Sequence, residues 1–294
     1  RVGEKLEAFN TRYEHANRYR DDAFVRYLMG VLFEASGDLD NALVAYRNSL
    51  RVYEEDYAGL YGTGLPASLA EDLLRLTDRP GFEALHEEFE ARWPDADWRG
   101  SGPGPGRGEA VLVFEEGLIP LRHEETVETW SEDRVWRLAV PAIRLARRPP
   151  SSISASAGGS SARGFLVQDL GAIAERNLED HAARDLARTI ARAVIKSGAA
   201  DLTEQAVEEL TGEEDSIWSE GAGILVSILG AATEHADLRA WLTIPQRIYM
   251  VRLPLEPGFH RLEICRNGQR LDSRDISIEE YGITLVFLNR ASWR

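Results

Sequence analysis

Side-chain catalysis draws on histidines, thiols, activated hydroxyls and paired carboxylates, and this sequence scatters them. Its six histidines, His15, His86, His123, His181, His235 and His260, fall one to a segment. They form no His-x-x-x-His pair and have no Cys neighbour, so a zinc site would need ligands from distant segments. The densest metal-like cluster, His123-Glu124-Glu125, runs on as a charged stretch to Glu128 and reads as solvated surface. His181 and Asp185 share a helical face at four-residue spacing, beside Asp180, and read as an exposed polar pair. With 49 acidic residues, no two carboxylates stand out as a general acid and its base.

Nucleophile signatures are missing too. There is no Gly-x-Ser-x-Gly elbow and no Ser-x-x-Lys, and the serine-rich stretch 149–164 lacks a hydrophobic frame to hold a nucleophile. Cys265 is the sole cysteine, which rules out an internal disulfide and a thiolate metal cluster; its apolar, alternating surroundings describe a buried, inert thiol. The glycine-rich run 100–108 is not followed by Gly-Lys-Ser/Thr and opens no dinucleotide fingerprint. No cofactor is expected. Trp93, Trp98, Trp130, Trp136, Trp218, Trp241 and Trp293 could stack on sugars, with core and rim packing as the plainer alternative.

Bulk composition narrows the partners. The chain has 294 residues, 44% hydrophobic and 28% charged, as a folded chain of two ordinary domains would. A formal charge of -15 argues against nucleic acid, whose phosphates need clustered Lys and Arg, and equally against anionic membranes. The longest apolar stretch, 224–232, is too short to span a bilayer. An opening Arg1 in place of Met leads us to expect a processed product or the ordered part of a longer protein.

The elements that would carry a site change character along the chain. From Asp21 to about Trp93 apolar residues recur at three- and four-residue steps: Phe24, Tyr27, Leu28, Val31 and Leu32, then Leu39, Leu43, Tyr46 and Leu50. Between the runs, Gly37 suits a left-handed helix stop and Asp38 can cap the next helix, which makes an antiparallel helical hairpin. Residues 69–76 and 82–93 read as a second helical pair. Residues 94–108 have a linker's composition.

Beyond them, 110–114 and 135–145 read as strands, the second bulged or at an edge because of Pro141. We expect a mobile loop over 149–164, a long helix over 166–196 and a packed helix over 218–234. Four period-two runs, 247–253, 260–266, 271–278 and 283–289, are separated by turn signals at Pro257-Gly258, Asn267-Gly268 and Tyr281-Gly282. The expected fold is therefore α+β. An N-terminal helical repeat domain (1–93) and a Gly/Pro linker (94–108) precede a mixed domain (109–294) with an antiparallel β meander or sandwich and packed helices.

Met29-Gly30 and Phe33 stand where tetratricopeptide repeats place Leu-Gly and Tyr, and Ala42, Tyr46 and Ser49 stand at the later small and aromatic positions. Arg26 and Glu54 depart from the repeat's Trp and Pro. Residues 22–30 and 36–42, with 115–120, 236–245 and 247–258, resemble an uncharacterised family of bacterial cell-envelope lipoproteins with tetratricopeptide repeats. The resemblance implies an exported, lipid-anchored protein on the periplasmic side of the outer membrane, without known catalysis. Its membrane attachment would come only through an N-terminal anchor outside these residues. The expected function is thus a non-catalytic scaffold that binds an envelope protein or complex. In a tetratricopeptide unit the first helix lines the groove, which makes Phe24, Tyr27, Val31 and Glu34 the candidate partner-binding residues. A carbohydrate- or peptidoglycan-binding module on the β domain is the alternative reading, and a cell-wall hydrolase with an unrecognised site a further one.

Overall fold

The computed structural model describes residues 19–131, 134–145, 148–178, 180, 238–239, 241 and 243–290, apart from the side chains of 126–140. The fold is mixed α+β, with a helical N-terminal segment followed by antiparallel-rich sheets. The chain divides into two compact units. One comprises Tyr19–Ile119, Ala146–Ala174 and Leu242–Arg294, and the second includes Pro120–Leu145.

In the first unit α1 (Ala23–Ala35) and α2 (Leu39–Val52) form the expected hairpin. Asp22 caps α1 by accepting from the Val25 amide, and Asp38 caps α2 by accepting from the Asn41 amide. At the end of α1 the Asp38 amide bonds to the Phe33 carbonyl and the Gly37 amide to the Glu34 carbonyl, with Gly37 at φ +81°. This paired stop needs a residue free to adopt positive φ. Gly30 lets the helices close: a Cβ there would come 2.2 Å from the ring of Tyr46.

A π-helical segment (Tyr53–Tyr61) continues α2, and α3 (Ala67–Thr77) and α4 (Glu83–Arg92) form the second helical pair. Tyr53, Tyr57 and Tyr61 stack edge to face along the π segment, with ring centroids 5.4 and 5.2 Å apart.

The strands of this unit are β1 (Gly108–Glu116), β4 (Ile153–Ala157), β5 (Ser160–Arg163), β6 (Phe165–Asp169), β7 (Arg247–Leu255), β8 (Gly258–Arg266), β9 (Gln269–Ile278) and β10 (Ile283–Arg290). They build two four-stranded sheets, ordered β10-β1-β7-β6 and β5-β4-β8-β9. Pairing is antiparallel except for β1 with β10. The period-two runs do form strands, but they do not form a meander. β7 and β8 join across a short turn yet belong to different sheets.

Three layers result. Val111 and Val113 of β1 and Ile248 and Met250 of β7 pack toward the helices. Ala110, Leu112, Phe114, Tyr249, Val251 and Leu253 pack toward the second sheet, against Ile153, Leu262, Ile264 and Ile276. A strand buried on both faces reads as a continuous apolar run, which is why 110–114 shows no alternation.

The segments expected as linker and loop take part in this packing. Trp98 is buried, the Gly106 amide bonds to Glu280, and the Tyr281 amide bonds to the Arg107 carbonyl. The helices expected as the separate domain 1–93 share one core with β1, β6 and β7. Residues 149–164, expected as a mobile loop, carry the β4–β5 hairpin, in which β4 pairs with β8 and buries Ile153, Ala155 and Ala157 in the core. β6 occupies the first residues of the expected helix 166–196, and helical backbone begins only at Leu170, where Asp169 accepts from the Ala172 amide. The rest of that helix beyond 180, and the candidate over 218–234, lie outside the described residues.

In the second unit β2 (Arg122–Ser131) and β3 (Arg134–Ile143) form a two-stranded antiparallel hairpin, with Pro141 opposite Glu124. Two strands give every residue an edge position, which accommodates the proline. No described helix is long and apolar enough to cross a membrane.

Candidate functional site

Charged residues sit where the helices of the first unit meet its central sheet. On α3, Asp72 lies three residues after Leu69 and four before Leu76, on the helix's buried face. On α1, Glu34 follows Val31 by three residues on the same kind of face. Glu109 and Arg252 occupy positions of β1 and β7 that point to the helices, in register with Pro254 and Val111. Arg75 reaches in from α3.

Arg252 is the hub. Its Nε donates to Glu109 Oε1 at 2.9 Å and its Nη2 to Oε2 at 2.5 Å, a bidentate grip. Its Nη1 donates to Asp72 Oδ2 at 2.6 Å, and Nη2 lies 3.6 Å from Glu34 Oε2. Arg75 bridges Glu34 Oε1 at 2.6 Å and Asp72 Oδ1 at 2.9 Å. The Tyr27 hydroxyl donates to Asp72 and the Tyr46 hydroxyl to Glu34, each at 2.9 Å. Gly102, at φ +68°, closes over Arg75, since a Cβ there would come 2.3 Å from Nε.

Three carboxylates thus face two guanidiniums: the side chains of Glu34, Asp72, Glu109 and Arg252 are 1%, 2%, 0% and 5% exposed, and that of Arg75 is 14% exposed. Burial pushes Asp72 and Glu109 up, against the pull of Arg252. Burial acts the same way on Glu34, but Arg75 and Arg252 together outweigh it and hold that carboxyl below the usual range. Half-buried Glu71, beside Asp72, is pushed up to about 7 by burial, then by Asp72 and Asp97, with Arg252 opposing.

A second joint lies along β6. The Tyr53 hydroxyl donates to the Val167 carbonyl at 2.7 Å, and Gln168 Nε2 donates to Asp22 at 2.8 Å and to the Tyr57 hydroxyl at 3.2 Å. Arg247 holds Asp169 at 2.9 Å and spends its remaining donors on the carbonyls of Arg148 and Pro149.

The sealed cluster can fix helices onto a sheet, but a substrate could touch groups this buried only by prising the layers apart. Perturbed carboxyls mark structural ion networks as well as active sites, and access separates the two.

The four expected partner-binding residues need correction on this point. Tyr27 and Val31 are 0% exposed, Phe24 is 7% and Glu34 is 5%. They face α3 and the sheet because that layer covers the side of α1 expected to line a groove. The exposed apolar residues of the hairpin are instead Val25, Met29, Leu32 and Val44.

The histidines stay apart. His86 Nδ1 lies 3.1 Å from both Thr77 Oγ1 and the Leu74 carbonyl, and its ring meets Trp98 edge to face. His123 pairs with Glu125 on the hairpin surface, where Glu125 also meets Arg144. His260 bonds the Glu256 carbonyl. His15, His181, Asp185 and His235 lie outside the described residues. Among the described residues no group of three or more His, Cys, Asp or Glu is placed to hold a metal ion. Cys265 is partly exposed, at a bulge of β8. Of the tryptophans, Trp98 is buried and Trp241 is 74% exposed.

The buried cluster leaves no local motif in the sequence because its members are far apart along the chain. The available signal was a charge inside an apolar run, Arg252 within 248–255 and Glu109 before 110–114, since a buried charge requires partners. No protein-family model, curated protein or solved structure matches the chain.

Proposed function

We propose that the chain is a non-catalytic protein-protein interaction scaffold of the bacterial cell envelope, with α1 and α2 as a tetratricopeptide-like unit that presents its outer face to an envelope protein. One observation carries the reading: the polar cluster is sealed and bonded within the chain, while α1 exposes Val25, Met29 and Leu32 to 47%, 36% and 48% on one helical face. These residues are spaced four and three apart, the pattern by which a helix offers an apolar stripe to a partner.

The close approach of Gly30 to Tyr46 and the Gly37 stop support the tetratricopeptide reading of the pair. The envelope location, the lipid anchor and the absence of nucleic acid rest on the resemblance and the charge described above. The test is a photo-crosslinking residue placed at Leu32 in living cells, with exposed Glu88 on α4 as the control. A discrete adduct at Leu32 that is absent at Glu88 supports the scaffold. No adduct at Leu32, together with saturable binding to isolated peptidoglycan, would replace it with the glycan-binding reading.

A further inference from the structure

The sheet edges of the first unit are unlike one another. β6 has five residues and a bulge between Leu166 and Gln168, and β5 has four residues. β9 carries Arg270, Asp272, Arg274 and Asp275. Short, bulged or charged edges resist further pairing. β10 has none of these protections. It runs eight residues in unbroken register with β1, is uncharged from Ile283 to Asn289, and exposes Phe287 to 59%.

The backbone of β10 is also set out for pairing. The Glu109 amide donates to the Gly282 carbonyl, and in a parallel ladder alternate residues serve the neighbouring strand. Thr284, Val286 and Leu288 therefore spend their backbone groups on β1. Ile283, Leu285 and Phe287 aim theirs at the outer edge, where no strand pairs among the described residues.

We propose that β10 is the seam of a homodimer, pairing antiparallel with β10 of a second copy across a two-fold axis at Leu285. Charge selects this occupant. Exposed Glu279 and Glu280 precede the strand and Arg290 ends it, so antiparallel pairing brings the acidic end of each copy to the basic end of the other. With Leu285 opposite the second copy's Leu285, Ile283 faces its Phe287 and Arg290 faces its Glu280. All three outward-bonding residues then fall in hydrogen-bonded pairs. A two-fold axis perpendicular to the sheet keeps each side-chain face with its like, so the contact is self-complementary. Among the described residues Arg290 approaches Asp272 at 3.6 Å, and Glu280 accepts from the Gly106 amide.

Sedimentation equilibrium of the purified chain tests this. The expected result is a dimer. Phe287→Lys should turn it monomeric, and Arg290→Glu should weaken it at least about tenfold, or ~1.4 kcal/mol. The exchange Glu280→Arg with Arg290→Glu should restore it to within a few-fold. A second measurement does not depend on those variants folding well. In a Cys265→Ser background, Leu285→Cys should form an intermolecular disulfide on mild oxidation, because hydrogen-bonded antiparallel partners hold their Cα atoms at about 5.5 Å. Ser273→Cys on β9 should not. A chain monomeric at every soluble concentration overturns the proposal and leaves the edge to an extended peptide. So does a dimer indifferent to Phe287→Lys, or equal cross-linking at the two cysteine positions.

Discussion

Arg252 Nη1 lies 2.6 Å from Asp72 Oδ2, although the two residues are 180 positions apart in the chain. That pair ties α3 to β7, and with Glu109 and Glu34 it fastens the helical layer to the sheet. Removing one partner of such a group leaves buried charge uncompensated, at a cost of about 3–5 kcal/mol. Arg252→Ala should lower unfolding free energy by that order in urea titration. Arg252→Lys should recover little, because a single ammonium cannot grip both oxygens of Glu109 and also reach Asp72.

Gly30 is expected to tolerate no side chain. Its missing Cβ is the space occupied by the Tyr46 ring, which is 0% exposed and tied by its hydroxyl to Glu34. Gly30→Ala should destabilise the chain by roughly 1–3 kcal/mol through overpacking, visible as a lower urea midpoint with unchanged slope. A neutral or stabilising outcome would mean that the helices separate easily.

Glu71 has a folded-state pKa of about 7 against an ordinary value of 4.5, so across that window the folded chain binds more protons than the unfolded one. Stability from this group is then full below about pH 4.5 and declines as pH rises toward 7. Asp72 and Glu109, also raised, add the same sign, and Glu34, lowered, opposes them only in acid. The melting temperature should therefore fall between mildly acidic and neutral pH. Glu71→Gln should flatten that slope, matching the parent in acid and exceeding it at alkaline pH.

Much of the local structure was legible in the sequence. Gly37 and Asp38 fixed the helical hairpin because their roles are played out within a few residues. The strands at 260–266 and 271–278 declared themselves by alternation and by an Asn267-Gly268 turn, and the structure puts both residues at positive φ. Where burial is two-sided or partners are remote, local pattern carries less. Residues 149–164 look like a loop by composition, yet they hold a hairpin paired to β8, with Ala155 and Ala157 small enough to sit in the core. Glu34 sat at helical spacing from Val31, and only the tertiary fold decides whether that stripe faces a groove or a sheet.

The run 94–108 gives the sharpest difference between composition and packing. If it were a free linker, residues 19–99 would fold alone. With Asp72 and Glu34 relying on Arg252 of β7 for a partner, that fragment should instead show weak helicity and no cooperative melt by circular dichroism. Mixing it with residues 100–294 should restore cooperativity.

In the proposed scaffold the buried cluster holds the fold together and the outer face of α1 meets the partner. The most direct test is the Leu32 photo-crosslink carried out in cells expressing Glu109→Gln, an isosteric change that removes one buried carboxylate and leaves the α1 surface untouched. The same adduct is expected at the same yield, provided the variant's melting curve shows it folded. Loss of the adduct from a folded Glu109→Gln protein would contradict this proposal, and would make the cluster itself part of the activity.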